Sequence, residues 1–137
     1  MTGISTKGIY GLGALYYLTL NLHKPSIQIS EISQNTNIPQ NYLEQILANL
    51  KKAGFLKSIR GPKGGYALAM PPEQIIVYDI LEALEGGLCA IECRTDIEAL
   101  KLFWEDAGSK VRQIFSLSLK DLLRYEEMIQ RGNMYFI

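Results

Sequence analysis

The chain has 137 residues, with 14 basic and 14 acidic side chains, one histidine, two cysteines and 47% hydrophobic residues. That length suits one domain with a real core, and 20% charged with 9% aromatic residues excludes a wholly disordered chain. No apolar run reaches the ~18 residues of a membrane span, the N-terminus has no signal-peptide pattern, and two cysteines cannot staple a secreted scaffold, so a cytoplasmic protein is expected.

Residues 7–22 carry apolar side chains on all sides, which predicts a buried first helix despite Gly8, Gly11 and Gly13. Lys24, Pro25 and Ser26 break it. Residues 27–29 alternate like a very short strand, and Ser30 ahead of Glu31 predicts the N-cap of a short second helix. Asn35, Thr36 and Asn37 form a turn cluster, and Pro39 suits the first turn of a third helix. There Tyr42, Leu43, Ile46, Leu47 and Leu50 recur at helical spacing, with Gln40, Asn41, Glu44, Gln45, Ala48, Lys51 and Lys52 on the other face and Gly54 as the stop. Two helices joined by a short polar turn make a helix-turn-helix.

Two short alternating runs, 55–60 and 66–70, then flank Gly61, Pro62, Lys63, Gly64 and Gly65, the pattern of a β-hairpin. A hairpin directly after the second helix of a helix-turn-helix is a wing. Lys51, Lys52, Lys57, Arg60 and Lys63 crowd this stretch with no acid among them, and the glycines allow close backbone approach to a phosphate. The neutral total conceals an asymmetry. Residues 1–70 hold seven basic against two acidic side chains, net +5, whereas residues 71–137 hold seven against twelve, net −5. The first half is suited to a polyanion.

Pro71 and Pro72 mark a junction between a winged helix-turn-helix unit at 1–72 and a second unit at 73–137. Residues 75–84 read as a helix ended by Gly86 and Gly87, and residues 87–96 form a loop holding Cys89 and Cys93. From Ile97 the positions Leu100, Trp104, Ala107, Val111 and Ile114 step by three and four, the seam of a helix over 97–116 that packs on a partner helix. Ser118 caps a short helix over 119–129. The fold class is mainly α with a small β-wing: a winged helix-turn-helix followed by a long C-terminal dimerisation helix.

The segments STKGIYGLGAL, NYLEQILANLKKAGFLKSIRGPKGGYAL and DILEALEG resemble the Rrf-two family of bacterial winged-helix regulators along essentially the whole chain. The resemblance implies a homodimer in which the helix at 97–116 crosses its twin and each subunit offers one winged helix-turn-helix to a half-site. It places Gln40, Asn41, Tyr42, Glu44 and Gln45 at the major groove. Glu44 is able to accept from a cytosine amino group, and Gln45 or Asn41 to pair with an adenine edge or a phosphate. For Tyr42 and Tyr66, core packing is an equally good reading. Arg60, Lys63, Gly64, Gly65 and Tyr66 should reach the minor groove or the backbone, and Ser5, Lys7, Gly8 and Tyr10 should meet phosphate beside the first helix.

The cluster-binding members of that family carry three cysteines in the loop before the dimer helix. Here there are two, Cys89 and Cys93, at C-x3-C spacing. Three readings stand side by side. An iron–sulfur cluster would need help from oxygen ligands such as Glu92 or Glu98. A thiol switch would use Arg94 to lower a neighbouring thiolate pKa. Alternatively, the pair are two small buried hydrophobes. The final Met134, Tyr135, Phe136 and Ile137 resemble the tail of the family's cysteine-metabolism repressors, which implies that Tyr135, Phe136 and Ile137 dock in the active site of O-acetylserine thiol-lyase, the cysteine synthase. A tail packed on its own domain is the alternative. The expected function is repression of sulfur and cysteine metabolism at a double-stranded operator, without a resident cofactor. Cluster sensing and an adaptor that has lost DNA binding are the rivals. No nucleophile–base pair or metal motif supports an enzyme, and the single imidazole, His23, lies at a helix end.

Overall fold

Apolar side chains three and four residues apart on the first three helices converge on one cluster in the computed structural model, which describes residues 4–87 and 94–132. α1 (Thr6–Leu20) contributes Ala14, Leu15 and Leu18, α2 (Ile29–Thr36) contributes Ile32, and α3 (Gln40–Lys52) contributes Leu43, Ile46, Leu47 and Leu50. Each of these leucines and isoleucines, taken out of water, stabilises the fold by about 1.5–3 kcal/mol. The turn between α2 and α3 passes through Asn37 at φ 58°, a left-handed conformation that asparagine tolerates better than most residues. Ser33 Oγ donates to the Ile38 carbonyl and holds that turn against α2.

After Gly54 the chain forms β1 (Leu56–Ile59) and β2 (Gly65–Leu68), antiparallel with Leu56 opposite Leu68 and Ile59 opposite Gly65. Ile27 adds a rung to this ribbon. Its N–H donates to the Tyr66 carbonyl at 2.9 Å, and the Tyr66 N–H donates back to the Ile27 carbonyl at 2.8 Å. The strand-like reading of 27–29 is therefore a single bridge. It also corrects the start of α2, for which Gln28, not Ser30, is the capping residue. The bridge leaves Gln28 extended, and the helix turns from Ile29 without a side-chain cap.

A 3-10 turn (Pro72–Gln74) leads into α4 (Val77–Glu85), whose Ile80 and Leu84 complete the core. α4 approaches α1 closely because two α1 residues lack side chains. A Cβ at Gly8 would lie 2.4 Å from Glu85 Oε1, and one at Gly11 would lie 2.2 Å from Leu84 Cδ1. α5 (Glu98–Ile114) is tied down at its C-terminal end. The Val77 and Tyr78 N–H groups donate to the Leu117 and Phe115 carbonyls, and Leu119 N–H donates to the Ile75 carbonyl. Ser118 and Asp121 then form a reciprocal cap. Ser118 Oγ accepts from the Asp121 N–H at 3.0 Å, while Asp121 Oδ2 accepts from the Ser118 N–H at 2.9 Å. The Ser118 N–H, and after it the Ser118 hydroxyl, hold the Asp121 carboxyl below its usual pKa. The cap closes a turn, and regular helix resumes only in α6 (Leu123–Gln130), later than the expected 119.

Candidate nucleic-acid interface

The amphipathic pattern of α3 decides what it shows to solvent. Its four core residues are on one side, and Gln40, Asn41, Glu44, Gln45, Ala48, Lys51 and Lys52 are all exposed. Tyr42 occupies the edge. It is 40% exposed, and its ring meets Tyr10 of α1 edge-on with centroids 5.6 Å apart. The pair braces the N-terminal turn of α3 against α1. Tyr42 is thus both part of the packing and open to a ligand, while Tyr10 packs on the core.

At the wing, Lys57, Arg60 and Lys63 are exposed and, with Lys52, form no ion pair among the described residues. Lys51 donates to Ser58 Oγ at 2.7 Å and joins α3 to β1. Gly64 and Gly65, expected to free backbone donors for a phosphate, are required first by the wing itself. A Cβ at Gly64 would lie 2.4 Å from the Ile59 carbonyl oxygen, and one at Gly65 would lie 2.4 Å from that of Ile27. The Gly64 N–H is already spent on the Gly61 carbonyl. Tyr66 is half-buried against the core, leaving Arg60 and Lys63 as the exposed cations of the wing turn.

The N-terminus of α1 differs most from expectation. Ser5 N–H, Ser5 Oγ and Gly8 N–H all donate to one oxygen of Glu85, at 2.9, 2.8 and 3.1 Å. The donors expected to meet a phosphate are occupied by a carboxylate of the same chain, and Gly8 is buried. Lys7 is half-buried. Sequence reasoning missed Glu85 because it lies 77 to 80 residues from its partners. The only local signal was the glycine at position 8.

The remaining expected residues divide into two groups. Leu100, Trp104, Ala107, Val111 and Ile114 lie along α5 with Ile97 at its cap, and no residue of that helix is buried. Ile97 is 59% and Ile114 66% exposed. Cys89, Cys93, Tyr135, Phe136 and Ile137 lie outside the described residues, as does Glu92. Among the described residues no group of three or more His, Cys, Asp or Glu is placed to hold a metal ion. No described helix is long and apolar enough to cross a membrane.

This arrangement of helix pair, wing and long exposed helix has close counterparts. Residues 4–125 match the model of the Rrf2 family, described as iron-dependent transcriptional regulators. The chain is 36% identical to the transcriptional regulator CymR of Bacillus subtilis over 98% of its own length and 99% of that protein's. The solved structure of B. subtilis CymR, described as the global cysteine regulator, superposes with a TM-score of 0.83 over 91% of this chain and 98% of that one. The T. potens IscR structure superposes with a TM-score of 0.79 at 35% identity, over 94% and 91% of the two chains. These relatives are regulators rather than enzymes, and the winged helix expected from the sequence is their fold. The chain belongs to the Rrf2 family of winged-helix, DNA-binding transcriptional regulators.

Proposed function

We propose that this protein is a homodimeric repressor of sulfur and cysteine metabolism that reads a pseudo-palindromic operator. The single observation that carries the DNA-binding part is the polar face of α3, open to solvent and followed directly by a wing with exposed Arg60 and Lys63. In this reading Glu44 accepts from a base amino group, Gln40, Asn41 and Gln45 contact base edges or phosphates, and the wing cations meet the backbone. The dimer is supported by α5. Its apolar stripe has no cover within the described chain, and an apolar stripe of that spacing is suited to a second copy. The choice of metabolism rests on the similarity to CymR over nearly full length.

The family's iron-dependent description raises a cluster as a second reading. The whole chain offers two cysteines where the cluster-binding members of the family have three, so a cluster would need ligands of another kind. A thiol pair at Cys89 and Cys93 that responds to oxidation is the sensing mode we favour. A partner enzyme of the O-acetylserine thiol-lyase class is a finer version of the same reading, and the resemblance of the tail is its support. A pull-down with that enzyme tests it; absence of binding removes the partner.

The test of the whole reading is titration of promoter DNA from cysteine-metabolism genes at several salt concentrations. Binding that weakens steeply and linearly in log salt is expected, since Lys and Arg contacts release counterions. No retention of such DNA at low salt overturns it. Anaerobic purification with absorption spectra and iron and sulfide analysis separates the sensing modes. Colourless protein that binds DNA supports the thiol pair, and stoichiometric iron and sulfide replaces it with a cluster.

A further inference from the structure

The wing is held from both sides, and one of the ties reaches a single cation. Its turn, residues 61–64, closes where the Gly64 N–H donates to the Gly61 carbonyl at 2.9 Å, and the ring of Pro62 fixes φ at the second position. On one side Lys51 of α3 donates to Ser58 of β1. On the other, the connection between α1 and α2 runs beside β2, where Ile27 and Tyr66 exchange two backbone hydrogen bonds. The residue before Ile27 extends this contact to the turn. Ser26 is half-buried, and its Oγ donates to the carbonyl of Lys63, 37 residues away.

Lys63 is the third residue of that turn, and its side chain is exposed. A two-stranded ribbon is marginal on its own in water, so its tip needs a hold from outside the ribbon. A hydrogen bond to the Lys63 carbonyl fixes the peptide from which that side chain leaves. The cation then meets a phosphate with its backbone already ordered, and less entropy is lost on binding. The neighbouring tie between Ile27 and Tyr66 uses backbone groups only, so it survives loss of the Ser26 hydroxyl.

We propose that Ser26 is a positioning residue for DNA binding: its hydroxyl holds the wing turn so that Lys63 is presented to the phosphate backbone. Ser26 itself touches no nucleic acid in this account and acts through Lys63 alone. The inference rests on the DNA-binding reading above, but not on the identity of the operator, because a phosphate contact is independent of sequence.

The experiment titrates a labelled random-sequence duplex by fluorescence anisotropy across a salt series, with thermal melts of every protein. The full-length wild type is compared with Ser26→Ala, Ser26→Thr, Lys63→Ala and the double variant Ser26→Ala/Lys63→Ala. Ser26→Ala is expected to bind about two- to tenfold more weakly, the range of one lost hydrogen bond, and Ser26→Thr to restore binding. Lys63→Ala is expected to weaken binding and to make the log–log salt dependence shallower by about one. The double variant decides. It should bind like Lys63→Ala alone, because a turn without its cation has nothing to misplace. A merely structural role for Ser26 would weaken binding by the same factor with and without Lys63, and that result overturns the proposal even if Ser26→Ala melts early. Wild-type affinity in Ser26→Ala, or in Lys63→Ala, overturns it too. Failure of the wild type to bind any duplex at low salt removes the DNA-binding reading itself, and the positioning role with it. Wild-type binding with additive losses removes the positioning role alone.

Discussion

α3 and α5 carry the same kind of apolar spacing and meet opposite fates. Leu43, Ile46, Leu47 and Leu50 of α3 are buried among α1, α2 and α4, whereas α5 presents Leu102, Phe103 and Trp104 to solvent and buries nothing. Periodicity predicts that a helix has an apolar face; it does not say whether the covering partner lies in the same chain. For α3 the partner is internal and the polar face is left for a ligand. For α5 it is the apolar face that waits for one, and a second copy supplies it in our account.

The sharpest way to break this comparison is to damage both faces. Leu47→Ala, at a fully buried position, is expected to cost about 2–5 kcal/mol in chemical denaturation, because the core collapses only partly around the cavity. Trp104→Asp is expected to leave the helical content intact while weakening self-association by about 2–4 kcal/mol, read as a dimer-to-monomer shift in sedimentation. If Trp104→Asp sediments like the wild type, the exposed stripe of α5 is not the dimer surface. Arg60→Ala separates the wing from both faces. It should lower DNA affinity by about 1–3 kcal/mol with an unchanged melting temperature, and unchanged affinity would take Arg60 out of the interface.

The smallest expected effect is on pH. Glu31 accepts from Lys24 and from Tyr17, both at 2.8 Å, and these bonds hold its carboxyl below the usual range. Asp121 is held down by the N–H and hydroxyl of Ser118. A carboxylate with a depressed pKa adds stability that is present above the ordinary carboxylate range and is lost as pH falls through the depressed value. The Lys24 and Glu31 side chains are 39% and 34% exposed and Asp121 is exposed, so solvent screens these charges and the effect is modest. Melting temperature should therefore fall on the acid side below the usual carboxylate pKa, and Glu31→Gln should flatten that acid limb. An acid limb of wild-type steepness in the variant would remove Glu31 from the account.

The helix-turn-helix and wing were legible because their signals are local. Leu43 to Leu50 repeat within one helix, Gly54 and Gly61 interrupt the chain, and the cations cluster between residues 51 and 63. What escaped was set by residues distant in sequence. Ser30 has the chemistry of an N-cap, yet the bridge between Ile27 and Tyr66 moves the start of α2 ahead of it. Gly64 and Gly65 suggest phosphate binding, but they are small because the Ile59 and Ile27 carbonyls lie against them. Ser5 and Gly8 have the right donors for an anion, and the anion they hold is Glu85.

The central claim is that two copies of this chain read DNA through symmetry-related α3 helices and wings. Selection of bound sequences from a random duplex pool tests it most directly. The account predicts enrichment of an inverted repeat whose half-sites lie about one helical turn apart or a multiple of it. Enrichment of a single asymmetric motif, or of none, would contradict it.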